Sequence, residues 1–290
     1  MLRMLAAVGA LFGGLALLGL YAFQSLLIYP ASLNDGRGYC AKPNEHNMPD
    51  YEELFLNTDD GESIQCYVLK HDPASANYTN KTVLILSPNA GNIGHGLPIV
   101  SLFYLDFGYN VVIYSYRGYG KSSGLPLEIG LKLDAKRIMQ HITSDDEQLR
   151  ASSLVLYGRS LGGAVSIYIA AQFSAAVLGL ILENTFLSIP KTVPHIFPLL
   201  RYVTAFVHQK WESELLVPAI PAEIPVLLLS ARNDEIVPPA HMDSIFQLLQ
   251  SSDKEMVKYE RSAHNDTVLQ PGYWEKIHEF IQRKVQPFGR

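Results

Sequence analysis

The chain has 290 residues, 48% of them apolar and 18% charged, with a formal net charge of −5. That length and apolar fraction suit one large domain with a continuous core and exclude intrinsic disorder. Lys and Arg are scattered rather than gathered into a stripe, so nothing marks a nucleic-acid partner. The two cysteines, Cys40 and Cys66, lack C-x-x-C spacing, and no metal site or redox cofactor is expected; pairing in an oxidising lumen stays open.

The first thirty residues carry no charge after Arg3. A helix needs about twenty apolar residues to cross hydrocarbon, whereas a signal-peptide apolar region runs about 7 to 15, so residues 1–30 read as a transmembrane anchor, with a cleaved signal as the alternative. Tyr21 and Tyr29 suit the interface, and Pro30 followed by Asn34-Asp35-Gly36 begins a polar linker over 31–50. On this reading a chain starting near Asn34 is soluble and keeps its activity. Arg3 before the segment and Arg37 and Lys42 after it leave the orientation undecided. Sequons at Asn77, Asn80 and Asn265 fit a lumenal domain in the endoplasmic reticulum or secretory pathway.

From residue 51 onward strand-like runs alternate with helix-length segments, the pattern of an α/β domain with a mostly parallel sheet covered on both faces. Eight strands are expected. Those at 51–57 and 63–70 form a hairpin around Asp59-Asp60-Gly61. Those at 82–86, 111–114, 154–157, 178–182 and 226–229 are continuous apolar runs, as strands buried on both sides should be, and 255–259 is the weaker last strand. Helices are expected at 97–107, 127–141, 162–173, 240–249 and 273–284. The stretch 187–223 is too long for an ordinary connection and reads as a short lid over the carboxyl edge of the sheet. It carries Ile189, Ile196, Phe197, Leu199, Leu200, Tyr202, Val203, Phe206 and Val207, which either pack on the core, face a bilayer or line an acyl groove.

Gly158-Arg159-Ser160-Leu161-Gly162 follows one apolar strand and opens a helix. In that context the flanking glycines remove Cβ atoms that would collide around a sharp turn, and Ser160 stands exposed as a candidate nucleophile rather than an idle serine. A serine hydroxyl needs a base, so a histidine and an acid should follow in the order Ser, acid, His. Asp234 sits where a strand-end acid belongs, with Glu235 and Glu183 as rivals and a plain turn aspartate as the structural reading. Of nine histidines only His264 follows the last strand and precedes the last helix; His95, His195, His208 and His241 fail on order or lie in expected helices. The oxyanion donors expected are the backbone N–H groups of Leu161 and Asn89, with Ala90 as second choice to Asn89.

These motifs resemble the α/β-hydrolase domain-containing proteins, most closely a membrane-anchored subgroup that includes the fungal bud-emergence (Bem-type) hydrolases. The resemblance spans nearly the whole chain: an N-terminal anchor, then Pro88-Asn89-Ala90-Gly91-Asn92, Ser115-Tyr116-Arg117-Gly118-Tyr119-Gly120, Gly158-Arg159-Ser160-Leu161-Gly162-Gly163, Glu183-Asn184-Thr185-Phe186, Asp234-Glu235-Ile236-Val237-Pro238-Pro239 and His264-Asn265-Asp266. It implies the α/β-hydrolase fold over 51–290, a Ser160, Asp234 and His264 triad, and hydrolysis of an acyl ester or thioester, lipid or acylated protein, without a cofactor. Ser87-Pro88 departs from the His-Gly that many relatives carry, which alters the shape of the oxyanion hole but spares the Asn89 donor. The other reading is a non-catalytic scaffold or morphogenesis factor that keeps the hydrolase shell. Arg117 is expected to brace the sheet edge rather than touch substrate.

Overall fold

The computed structural model describes residues 2–33, 35–75 and 78–285. The chain opens with helix α1 (Leu2–Ile28), whose side chains are described from Phe12 onward, Ala16 excepted; among the described residues no helix is long and apolar enough to cross a membrane. The sequon at Asn77 lies outside the described residues.

The domain then builds one eight-stranded sheet. Strands β1 (Glu52–Asn57) and β2 (Ser63–Leu69) form an antiparallel hairpin whose turn ends at Gly61, φ +87°. Strand β3 (Lys81–Leu86) is followed by α2 (Leu97–Ser101), which runs into one π turn at Leu102–Asp106, and by β4 (Asn110–Tyr114). Next come α3 (Glu128–Gln140), α4 (Glu147–Arg150), β5 (Ser153–Arg159), α5 (Leu161–Gln172) and β6 (Val177–Glu183). The insertion holds α6 (Ile189–Ile196) and α7 (Ser213–Leu216), and the chain closes with β7 (Val226–Ala231), α8 (Pro239–Leu248), β8 (Lys254–Tyr259) and α9 (Tyr273–Lys284).

The spatial order is β1-β2-β4-β3-β5-β6-β7-β8, parallel from β4 to β8. After β3 the chain moves to one side to lay down β4 and then returns to the other side for β5. Such a reversal opens a crevice at the carboxyl ends of the strands, where open α/β sheets bind ligands. The period-two alternation of strand side chains gives two cores: Leu84, Leu154 and Leu156 face α3, α5 and α8, while Val83, Val155 and Tyr157 face α2 and α9. Arg117 bridges β4's loop to α3 and the hairpin turn, pairing with Asp134 at 2.8 Å and Asp60 at 2.7 Å.

One segment differs from its sequence reading. The stretch 31–50, expected as a polar linker, lies against the domain: Ala31, Cys40 and Met48 are buried, Arg37 Nε donates to the Gly118 carbonyl at 2.8 Å, and Asn92 Nδ2 donates to the carbonyls of Asp35 and Tyr39. Two of these three bonds run from a side chain outside the stretch to its backbone carbonyls, which a hydropathy pattern does not reveal. In the insertion Ile189 is buried, as core packing predicts, but Phe197, Leu199, Tyr202 and Phe206 are 52%, 84%, 72% and 59% exposed. Cys66 packs in one core and Cys40 in the other, both as free thiols.

Candidate active site

Ser160 stands between β5 and α5 at φ +51°, ψ −115°, a strained conformation for any residue with a Cβ. The flanking glycines make that turn possible. A Cβ on Gly162 would lie 1.9 Å from the Leu86 carbonyl oxygen, and one on Gly158 would lie 2.3 Å from the Gly162 carbonyl oxygen. The turn is held from below by Ser160 N–H donating to the Glu183 carbonyl at 2.8 Å and by Thr185 Oγ1 donating to the Ser160 carbonyl at 2.8 Å.

Three side chains from separate loops meet here. His264 Nε2 is 3.0 Å from Ser160 Oγ, and His264 Nδ1 is 2.7 Å from Asp234 Oδ2. Asp234 follows β7 and is also a turn aspartate: its Oδ1 accepts from the N–H groups of Ile236 and Val237 at 2.9 and 2.7 Å. Those two bonds fix the carboxylate plane and leave Oδ2 for the imidazole, so the two readings of Asp234 coexist.

Neither rival acid occupies that position. Glu235 Oε2 accepts the backbone N–H of His264 at 3.1 Å, which steadies the histidine loop. Glu183 Oε2 accepts from the hydroxyls of Tyr157 and Tyr273 at 3.0 and 2.6 Å and lies 2.8 Å from Arg159 Nε, on the side of the sheet that packs α9. Burial and the neighbouring carboxylate push the Tyr157 phenol well above its ordinary value, so it stays a neutral donor. Among the other histidines, His95 caps a local turn, His241 is buried on α8, and His208 meets α1.

One support was not legible as such in the sequence. Asn184, at φ +46°, donates through Nδ2 to the His264 carbonyl at 3.0 Å and to Thr267 Oγ1 at 2.7 Å, while its Oδ1 accepts from Ala231 N–H at 2.8 Å. One side chain therefore ties the ends of β6 and β7 to the histidine loop. Its place in Glu183-Asn184-Thr185-Phe186 was visible, but its partners are distant in sequence.

The loop after β3 borders the same space. Leu161 is the first residue of α5, and the opening N–H groups of a helix have no acceptor within it. Asn89 is gripped from two sides: its carbonyl accepts from Tyr119 Oη at 2.7 Å and its Nδ2 donates to the Ile28 carbonyl at 3.0 Å. Ser160, Leu161, Asn89, Ala90 and His264 all line one cavity of about 350 Å³. Its remaining walls come from the insertion, from Phe186, Ile236 and Val237, and from the end of α1. Among its lining residues there is no Asp, Glu, Lys or Arg. Asn265 also lines it and is exposed, so a glycan at that sequon would stand in the mouth.

Comparison with known proteins agrees with this architecture. The profile of the serine aminopeptidase S33 family (Hydrolase_4) matches residues 103–222. The uncharacterized membrane protein YNL320W of Saccharomyces cerevisiae is 45% identical over 265 residues, covering 91% of each chain. Protein bem46 of Schizosaccharomyces pombe is 38% identical, covering 90% of this chain and 87% of its own, and the alpha/beta hydrolase domain-containing protein WAV2 of Arabidopsis thaliana is 33% identical, covering 94% and 92%. Among solved structures, the Pyrococcus furiosus esterase Pf2001 superposes with a TM-score of 0.70 at 18% identity, over 86% of this chain and 97% of its own.

Proposed function

Since the chain belongs to the α/β-hydrolase family that includes bem46 and WAV2, we propose that it is a membrane-bound serine hydrolase that cleaves long-chain acyl esters or thioesters, on lipids or acylated proteins. Ser160 Oγ attacks the acyl carbonyl while His264 Nε2 takes its proton. Asp234 Oδ2, 2.7 Å from Nδ1, selects the tautomer whose Nε2 is free to accept and stabilises the imidazolium that forms. The N–H groups of Leu161 and Asn89 receive the oxyanion. His264 returns the proton to the departing alcohol or thiol, leaving an acyl-Ser160 that water then hydrolyses by the same relay.

The observation that carries the substrate class is the cavity lining. It joins Ser160 to Leu161, Phe186, Ile189, Val193 and Phe206 without a charged side chain among its lining residues. An aminopeptidase must pair the substrate's terminal ammonium, and burying that cation in such a space without a partner carboxylate is costly. An acyl chain meets no such cost. Membrane attachment rests on the charge-free stretch after Arg3, on the exposed Phe12, Leu15, Leu18, Phe23 and Leu26 of α1, and on the exposed apolar tip of the lid.

Purified full-length protein offered a lauroyl thioester, a lauroyl ester and an aminoacyl anilide tests the reading. Turnover of the first two and not of the third is expected. Preferential cleavage of the anilide would contradict it.

A further inference from the structure

The sequence reads residues 1–30 as a membrane anchor set apart from the domain by a linker over 31–50, but the last three turns of α1 line the cavity around Ser160. Leu17, Leu20, Tyr21, Gln24, Leu27 and Ile28 all line it. They recur at intervals of three and four, so they form one stripe of the helix, and Leu15, Leu18, Phe23 and Leu26 are not among the lining residues. Leu17, Tyr21 and Leu27 of the stripe are 41%, 49% and 62% exposed, so this wall borders an open groove.

The stripe is held in place by polar bonds at three levels. Gln24, 8% exposed within an otherwise apolar stretch, has both ends of its amide engaged by the lid: Nε2 donates to the Phe206 carbonyl at 3.2 Å and Oε1 accepts from His208 N–H at 2.9 Å. One turn earlier, the Tyr21 carbonyl is 3.2 Å from His208 Nε2 and the two rings meet edge to face at 5.0 Å. At the end of the helix the Ile28 carbonyl accepts from Asn89 Nδ2, and Tyr29, next in the chain and 1% exposed, accepts from Trp211 Nε1 at 2.8 Å. A helix that served only as a tether would not need a buried glutamine matched to two lid backbone groups.

We infer that α1 is a specificity-determining wall of the active site, against which the substrate's acyl chain lies from Ile28, beside Asn89, toward Leu17. This rests on the acyl-hydrolase reading above and extends it from the lid to the N-terminal helix. From Ile28 to Leu17 the helix rises about 16 Å, and successive wall residues stand about one turn apart, so the groove meets successive parts of the chain in order. The α1 stripe therefore measures acyl length, and the proximal residue Leu27 governs shorter chains than the distal residue Leu17.

The test uses full-length protein in mixed micelles and a series of acyl esters from butyryl to palmitoyl. Leu27→Trp, Leu20→Trp and Leu17→Trp each fill the groove at a different height. Expected is an ordered shift of the preferred length, shortest for Leu27→Trp and longest for Leu17→Trp, with kcat/KM for chains beyond the block falling about fourfold per excluded methylene. Leu20→Ala, which folds without a bulky insertion, moves the preference to longer chains, and Leu18→Trp on the exposed face leaves the profile as in the unaltered protein. Variants that hydrolyse esters with an unshifted profile, or that lose all lengths in equal proportion, overturn the role of α1 while leaving the hydrolase reading standing. No hydrolysis of any ester by the unaltered protein overturns that reading itself.

Discussion

Lengthening the acyl chain of the substrate is the perturbation that the cavity makes most quantitative. A methylene moved from water into apolar surroundings contributes about 0.8 kcal/mol, so four methylenes are worth about 3 kcal/mol, or roughly 200-fold in kcat/KM. This is an upper value, because ordering the chain has an entropic cost. The expected profile of p-nitrophenyl esters rises from butyryl to octanoyl and flattens once the chain exceeds a cavity of about 350 Å³. Phe206 lines that cavity and is 59% exposed, so Phe206→Asp sets a carboxylate in the groove at a position that the fold can hydrate. The octanoyl to butyryl ratio in that variant should collapse toward unity. A flat profile in the unaltered protein, or a preference for acetyl esters, would refute the reasoning.

Gly162→Ala should abolish stable folding or cost more than the ~1–3 kcal/mol of ordinary overpacking, because its Cβ would meet backbone oxygen at 1.9 Å; a urea midpoint equal to the parent's would count against the elbow geometry. Asn184→Ala should lower kcat more than it raises KM, since its amide holds the His264 carbonyl rather than substrate; an effect on KM alone would assign it elsewhere. Tyr29→Ala should cost about 3 kcal/mol or more in urea denaturation, and a chain starting near Asn34 should lose the acyl-length profile along with α1; full retention of both would restore the picture of a separable tether. Burial holds His141 and His241 below the ordinary imidazole value of 6.5. The unfolded chain therefore binds more protons around and below that value, so stability is complete above about pH 6.5 and declines as pH falls through it. A pH-independent urea midpoint across that value would contradict the sign.

Much of the site was legible because its parts are local. Ser160 is marked by glycines that its own turn requires, and Asp234 and His264 by their places after β7 and β8, so chain order alone was enough to pair residues 104 positions apart. Five of the eight strands were legible for a similar reason: runs such as Val226-Leu227-Leu228-Leu229 are apolar on both faces because helices cover both. What escaped were contacts between distant segments. Asn184 looks like any strand-end asparagine until its three partners are seen. The 31–50 stretch is polar in composition yet anchored through backbone carbonyls, and α1 carries apolar residues on every face, so hydropathy could not separate the side that faces the lid from the side that does not.

The proposed chemistry depends first on Ser160 being an activated nucleophile. A fluorophosphonate probe applied to the full-length protein tests it, with the labelled residue located by peptide mass analysis. Covalent labelling of Ser160 is expected, with none in Ser160→Ala, and with a rate lowered in Asp234→Asn by a factor on the order of 10⁴ through the wrong imidazole tautomer. A folded, unaltered protein that takes up no label, or that is labelled equally after Ser160→Ala, would contradict the claim and leave the hydrolase shell as a scaffold.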